Sequence, residues 1–112
     1  MMNCFEKIRN IFERLSIHSY ANVYTGHEWK MWATYNLTDR QPVAFSDNDN
    51  PMWVDYVQAH LFLPITYNYF DLMTRIADEL KAAGFTAPDT TVDVESENKI
   101  QHLTFSCQIV EE

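Results

Sequence analysis

The amino-acid sequence predicts an α+β domain in which a mainly antiparallel sheet carries two helices packed on one face. One observation is a strand pattern from Met52 to Leu63, where side chains alternate between two faces. Another is a helix pattern from Tyr69 to Ala83, where apolar residues recur every three or four positions. The remaining strand-like segments occur in runs, as in antiparallel sheets. We expect residues 1–112 to form one domain, because this length suffices for a single core.

The first predicted element is a helix that begins at Asn3, whose side-chain oxygen can cap free backbone N–H groups. Its apolar positions follow helical spacing: Phe5, Ile8, Ile11, Phe12 and Leu15. The stretch from Ser16 to Gly26 indicates a short, irregular strand that ends at Gly26. This part of the chain therefore supplies a helix with one core face and a minor strand.

The next predicted strand begins at Trp29 and alternates as far as Leu37. One face carries Trp29, Met31, Ala33, Tyr35 and Leu37, and the other carries Lys30, Trp32, Thr34 and Asn36. Periodicity is lost from Thr38 to Pro51, which ends in the turn-forming run Ser46 to Pro51. We therefore expect a long polar loop between two antiparallel strands.

The central strand, Met52 to Leu63, is apolar on both faces, so we expect an inner strand covered on both sides. One face carries Trp53, Asp55, Val57, Ala59, Leu61 and Leu63, and the other carries Val54, Tyr56, Gln58, His60 and Phe62. The second helix follows, with Asn68 as its cap and Asp71 near the positive end of its dipole. Gly84 can end it in a left-handed conformation that lets Phe85 fold back onto the apolar stripe.

The last third of the chain predicts two further strands. A linker from Thr86 to Thr91 precedes a short strand around Val92 and Val94, and the chain turns between Ser96 and Lys99. The final strand begins at Ile100 or His102 and runs to Val110. Its inward positions are Leu103, Phe105, Cys107 and Ile109, and its outward positions are His102, Thr104, Ser106 and Gln108.

Composition excludes several classes of function. The formal net charge of -8 disfavours binding to a nucleic-acid backbone, which depends on Lys and Arg. The two glycines, Gly26 and Gly84, cannot form a phosphate-binding loop. We find no signal peptide and no run of roughly 20 apolar residues, so we expect neither a membrane span nor a membrane partner. Cys4 and Cys107 do not suggest a disulfide framework, and we expect a reducing compartment with Cys107 as a buried thiol.

No motif for catalysis, cofactor or metal binding emerges, so we expect a protein that is not an enzyme. His60 is interpreted as a hydrogen-bonded structural histidine, and His102 could lie across the sheet from it; a metal at this pair would lack a third ligand. The run Asp47 to Asn50 resembles a calcium loop without its glycine and closing glutamate. An enzyme with a site around His60 and His102 is the least favoured of three hypotheses.

Large rings on and beside the strands suggest an exposed aromatic patch, which marks a protein interface more often than a ligand site. A core with one buried aromatic face and scattered surface rings remains an open alternative. The candidate interface residues are Trp32, Phe45, Trp53 and Tyr56.

The order of these segments resembles small prophage proteins of the tail-completion or tail-terminator type, from the head-to-tail region of long-tailed bacteriophages. The resemblance spans roughly residues 29 to 110. Its specific part consists of Val57–Phe62, the helix end at Ala83-Gly84-Phe85 and the strand His102–Phe105. The order of the other segments agrees with it: the strand Trp29 to Tyr35, the loop Asp47 to Asn50 and the acidic link to Glu95. These are signatures of a fold and not of a catalytic site.

The resemblance implies a structural, non-enzymatic virion protein whose subunits form a ring, commonly a hexamer, between the tail tube and the head connector. It also implies synthesis in the cytoplasm of a bacterial host. Acidic residues facing the channel would repel DNA, and the candidates are Asp47, Asp49, Asp93, Glu95 and Glu97. The alternative from another class is a small monomeric α+β module that binds a protein or small-molecule partner in the host cell.

Overall fold

The computed structural model describes residues 2–24, 30–43 and 52–111, and it has the predicted α+β architecture. The elements are α1 (Cys4–Arg14), β1 (His18–Ala21), β2 (Trp32–Pro42), β3 (Trp53–Pro64), α2 (Phe70–Ala82), β4 (Asp89–Glu95) and β5 (Ile100–Glu111). The predicted segments at residues 25–29 and 44–51 lie outside the described residues. Within the described part of the chain, neither helix is long and apolar enough to cross a membrane.

All five strands form one sheet in the order β1-β2-β3-β5-β4. The short strand β1 pairs with β2 in parallel, and every other pairing is antiparallel. As predicted, β3 is an inner strand: it pairs with β2 along one edge and with β5 along the other. Its alternation of faces therefore sets the alternation of both neighbours.

The core lies between one face of the sheet and the two helices. The odd-numbered positions of β3 from Asp55 to Leu63 are buried, whereas the residues between them are only partly buried. Helix residues in the same apolar cluster are Cys4, Ile8, Ile11, Phe12, Ile76 and Leu80, and the sheet contributes Ala33, Tyr35, Val57, Ala59, Leu61, Leu63, Leu103, Phe105, Cys107 and Ile109. Both helices thus cover the same face of the sheet, as the periodicity predicts.

The helix ends follow the predicted chemistry with one shift. The Asn3 side chain caps α1 by accepting a hydrogen bond from the Glu6 N–H at 2.9 Å. Helix α2 begins at Phe70, so Tyr69 and not Asn68 is its N-cap; Asn68 Oδ1 accepts from the Phe70 N–H at 3.3 Å. At the other end Gly84 has φ +103°, and the buried Phe85 donates its N–H to the Leu80 carbonyl.

The prediction of a loop beginning at Thr38 was wrong, because β2 continues to Pro42. The register with β3 shifts between Leu37 and Asp39, which leaves Thr38 as the extra residue of a β-bulge. After the bulge, the faces occupied by odd and even positions are exchanged. Simple alternation therefore ends at Thr38 although the strand does not.

Two smaller expectations also change. We expected cover on both faces of β3, but neither described helix covers the second face, whose residues are only half-buried. Strand β4 begins at Asp89, inside the predicted linker, because it pairs with β5 from Asp89 opposite Ser106 to Glu95 opposite Ile100. In the sequence only Val92 and Val94 indicated strand β4, and its pairing with the long strand β5 makes it longer than predicted.

Candidate functional site

The face of the sheet opposite the helices, which we call the open face, carries aromatic, histidine and polar side chains to which the packing of the core assigns no role. Its positions follow from the strand register, since residues paired across strands share a face. The open face includes Tyr20, Trp32, Thr34, Asn36, Tyr56, Gln58, His60, Phe62, His102, Thr104 and Ser106. It carries large rings that remain partly exposed to solvent.

Aromatic side chains form a stack across three strands of the open face. The Tyr24 ring lies 4.9 Å from Trp32, Trp32 lies 5.1 Å from Phe62, and Phe62 lies 4.3 Å from the His102 ring, measured between centroids. Each of these three contacts is a stacked one, with interplanar angles of 22° or less. We call these four residues the aromatic row. It is a preorganised, largely apolar strip on a sheet face that neither described helix covers.

His60 and His102 meet beside the aromatic row. The His60 Nδ1 lies 2.8 Å from His102 Nε2, and the His60 Nε2 lies 2.9 Å from Asn36 Oδ1. Because an amide oxygen only accepts, His60 carries its proton on Nε2, and its Nδ1 accepts from the His102 Nε2–H. The Thr104 hydroxyl lies 3.4 Å and 3.3 Å from these two ring nitrogens. These contacts confirm that His60 is hydrogen-bonded, as predicted, and its structural role stays a prediction.

Burial lowers the pKa of both histidines. For His60 the proximity of His102 lowers the pKa further, and for His102 the charges of Asp93 and Glu95 act in the opposite direction. A second proton at the pair would place two N–H donors against each other, so the neutral pair is favoured. Among the described residues, the pair has hydrogen-bonding contacts with Asn36 and Thr104, neither of which is a carboxylate.

An acidic rim borders the open face on the side of β4. Asp93 pairs with His102 and Glu95 with Ile100, so both carboxylates share the face of the aromatic row. Glu97 follows in the turn before β5, and all three side chains are exposed. The open face thus combines an apolar centre with a negatively charged edge.

A second cluster lies on the helix side, where α1, β2, β3 and β5 converge. Asp55 is fully buried, and the Arg40 guanidinium binds both of its oxygens at 2.5 Å and 2.8 Å. Hydrogen bonding to Arg40 lowers the pKa of Asp55 and raises that of Arg40. Burial raises the pKa of Glu111, and the neighbouring Asp55 raises it further. Burial also raises the pKa of the nearby Cys4 thiol to about 11.

The structure separates the predicted interface residues. Trp32 and Tyr56 lie on the open face, whereas Trp53 lies on the helix side at the other end of β3, with the Arg40 guanidinium carbon 5.7 Å from its ring centroid. Phe45, Asp47 and Asp49 lie outside the described residues. Trp32 therefore shares a surface with Asp93 and Glu95, and Trp53 does not.

Sequence reasoning missed two features of these sites. Tyr24 and Phe62 were not chosen as interface residues, although Phe62 alternates onto the same face as Tyr56 and His60. Arg40 was assigned to a loop, so its pairing with Asp55 was not foreseen. The available signal was Asp55 itself, because a carboxylate at an inward strand position needs a buried partner.

No protein-family model matches this chain, and no curated protein matches it. Among solved structures, a chain from the virion of a native gene transfer agent (GTA) particle has a similar fold, with a TM-score of 0.55. The similarity covers 93% of this chain and 87% of that chain, at 9% sequence identity. At this identity the similarity shows the fold alone.

Proposed function

We propose that this chain is a structural, non-enzymatic subunit of a phage-like virion, and that it acts at the head-tail junction as a tail terminator. In this role copies of the chain form a ring, a hexamer, that caps the tail tube and docks onto the head connector. The fold shared with a chain of a gene transfer agent virion supports a virion component. The order of strand, helix-end and His102–Phe105 segments supports the more specific role.

The observation that carries the proposal is the aromatic row on a sheet face that neither described helix covers. A ring requires heterologous contacts, in which one surface of each subunit meets a different surface of the next. An apolar strip bordered by polar and charged groups has the composition of such a contact. Trp32 and Phe62 form its centre, and Tyr56 lies on the same face.

The acidic rim has a second part in the proposal. Asp93, Glu95 and Glu97 are exposed at the sheet edge next to the aromatic row. If this edge faces the channel, its carboxylates repel passing DNA phosphates and keep the wall from retaining the genome. The chain has 16 acidic and 8 basic residues, and this acidic excess supports the absence of specific nucleic-acid binding.

Mass in solution tests this role. We would measure the mass of the protein by size-exclusion chromatography with light scattering across a concentration series, first for the protein alone and then with a candidate tail-tube protein. We expect a ring-sized species in at least one condition, and a matching ring in electron micrographs. A strict monomer that ignores tail-tube protein would contradict the proposal and favour the host-cell binding module.

A pair of variants assigns the contact to the open face. Trp32→Ser removes the centre of the aromatic row, and Phe70→Ser removes a ring that is 61% exposed at the start of α2. We expect the first variant to lose assembly while its far-ultraviolet circular dichroism stays unchanged, and the second to assemble normally. Equal loss in both variants would show that general surface hydrophobicity, and not the aromatic row, drives association.

A further inference from the structure

The cluster on the helix side brings a thiol and two carboxylates together in a buried place. One potential ligand atom from each of Cys4, Asp55 and Glu111 lies within 4.8 Å of the other two. Cys4 is the first residue of α1, Asp55 lies in β3, and Glu111 ends β5. Cys4 and Asp55 are buried, and the Glu111 side chain is only 10% exposed. Residues from three separate elements thus point at one small volume.

One oxygen in this volume has no partner. Glu111 Oε1 is buried and accepts no hydrogen bond from the described residues, while Oε2 lies 3.5 Å from Arg40. Leaving a carboxylate oxygen buried without a donor is unfavourable. Arg40 already donates hydrogen bonds to both oxygens of Asp55, so its charge mainly neutralises Asp55 and not Glu111. The buried Glu111 oxygen is therefore an acceptor that a further cation would satisfy.

We propose that Cys4, Asp55 and Glu111 form a binding site for a thiophilic divalent cation, of which Zn²⁺ fits best. Zn²⁺ accepts Cys sulfur at about 2.3 Å and carboxylate oxygen at about 2.0–2.2 Å, which places tetrahedral ligands roughly 3.3–3.7 Å apart. Ligand atoms already within 4.8 Å need only a small approach to reach this spacing. The thiol distinguishes this donor set from the all-oxygen sites of Mg²⁺ and Ca²⁺.

The surroundings provide an approach and a fourth ligand position. A pocket of about 270 Å³ opens beside Cys4 and Asp55 and is also lined by Asn3, Phe5 and Leu37. Water in this pocket can complete the coordination shell. Metal binding releases the proton of the Cys4 thiol, as it does at other thiolate metal sites.

Arg40 acts as the competing cation in this site. Its guanidinium holds Asp55 when no metal is bound, and its side chain is 46% exposed, so it can withdraw toward solvent and the Trp53 ring. Metal binding must displace Arg40 from at least one Asp55 oxygen. Arg40 therefore weakens metal binding, and removing it strengthens binding by about tenfold or more, since two cations compete for one carboxylate.

Cobalt titration of the full chain tests the site. Co²⁺ reports a thiolate ligand through a charge-transfer absorption band, and we expect one equivalent to saturate it. We expect Cys4→Ser to abolish the band, Glu111→Gln to weaken binding, and Arg40→Gln to tighten it. Cys107→Ser is the matched control, because Cys107 is also a buried free thiol but lies outside the cluster.

Protection of the thiols gives a second readout that does not need a folded Cys4 variant. We expect saturating Zn²⁺ to slow alkylation of Cys4 in the unmodified protein, and to slow it more in Arg40→Gln, with peptides identified by mass spectrometry. Cys107 should be affected far less. The proposal is overturned if the cobalt band is absent from both the unmodified protein and Arg40→Gln, or if the band persists in Cys4→Ser. Equal protection of Cys4 and Cys107 by Zn²⁺ would also overturn it.

Discussion

Asp55 is a fully buried carboxylate at an inward position of β3. Its neighbours on that face are Trp53 and Val57, so its charge lies at the border of the apolar core. Such a charge is tolerated only with a well-placed partner. Arg40 supplies that partner from the adjacent strand, with two hydrogen bonds to the carboxylate. The pair links β2 to β3 beyond the bulge.

The two halves of this ion pair should be unequal in their effect on stability. Asp55→Asn leaves a half-exposed guanidinium that water can solvate, and we expect it to lower the free energy of unfolding by about 2 kcal/mol. Arg40→Ala leaves a buried carboxylate without its cation, so we expect a larger loss than for Asp55→Asn. Urea denaturation with a metal chelator present measures both.

Arg75→Ala is the control for removing a cation, because Arg75 is exposed on α2. We expect it to change stability by less than about 0.5 kcal/mol. In the Asp55→Asn background, Arg40→Ala should cost much less than it does alone. Equal losses for Arg40→Ala and Asp55→Asn would mean that Asp55 is not the buried, dependent partner.

The histidine pair predicts a pH dependence of stability. The pKa values of His60 and His102 are lowered in the folded state, so the unfolded chain binds protons more readily. Their contribution to stability is therefore lost as the pH falls through and below about 6.5, the unfolded value. Asp93 and Glu95 oppose the shift at His102 and limit its size. Urea denaturation at several pH values from about 8 to about 5, which bracket the unfolded pKa, measures the loss in the free energy of unfolding.

His60→Gln isolates this effect, because glutamine cannot gain a charge and can still donate to Asn36. We expect the variant to lose less stability on acidification than the unmodified protein. The same slope in His60→Gln and in the unmodified protein would assign the pH dependence to other groups.

At the scale of elements, β2 shows how a single extra residue hides a strand. Leu37 pairs with Val57 and Asp39 pairs with Tyr56, so Thr38 has no partner position. The bulge returns Arg40 to the helix side, where it faces Asp55. If β2 kept Thr38 and paired without a bulge, Asp39 would lie opposite Asp55 and Arg40 would point to the open face.

Deleting Thr38 should remove the bulge without disturbing the pairs on either side. We expect the deletion to cost about 1 kcal/mol, chiefly the hydrogen bond from Thr38 Oγ1 to the Tyr56 carbonyl. In the deleted chain, Arg40→Ala should destabilise as much as it does in the full chain, because Arg40 still faces Asp55. Urea denaturation of the four proteins provides the comparison. A lost Arg40 effect would show that the shortened strand has changed its register with β3 and no longer places Arg40 opposite Asp55.

At the scale of the whole molecule, the charged and apolar surfaces are segregated. The Cα framework measures 51 × 24 × 24 Å, and its sheet carries helices on one face and the aromatic row on the other. The acidic rim lies along the β4 edge of that second face. In the proposed ring this arrangement puts subunit contacts and channel lining side by side.

The location of the acids is tested by reversing their charge. We expect the combined change Asp93→Lys, Glu95→Lys and Glu97→Lys to create salt-dependent binding to duplex DNA, because Lys neutralises backbone phosphates. The matched control reverses three exposed acids on the helices, Glu13, Asp71 and Asp78, to give the same net charge. Fluorescence anisotropy should show binding at least about tenfold weaker for the control. Equal affinities would contradict a channel role for the rim.

Local periodicity was enough to find both helices and the inward faces of β3 and β5. Alternation marked Val57, Ala59 and Leu61 as core, and the Gly84-Phe85 pair marked the end of α2. These features depend on neighbours within a few positions, where backbone geometry sets the pattern. The acidic charge of the last third of the chain was equally evident from composition.

Pairing between distant residues required the folded chain. The Arg40–Asp55 pair joins residues 15 positions apart, the His60–His102 contact spans 42 positions, and Arg40 meets Glu111 across 71. Strand register and the Thr38 bulge determine these contacts, and neither is encoded in a local repeat. For the same reason, the sequence identified Trp32 and Trp53 as equivalent aromatic candidates, whereas the fold placed them on opposite faces of one sheet.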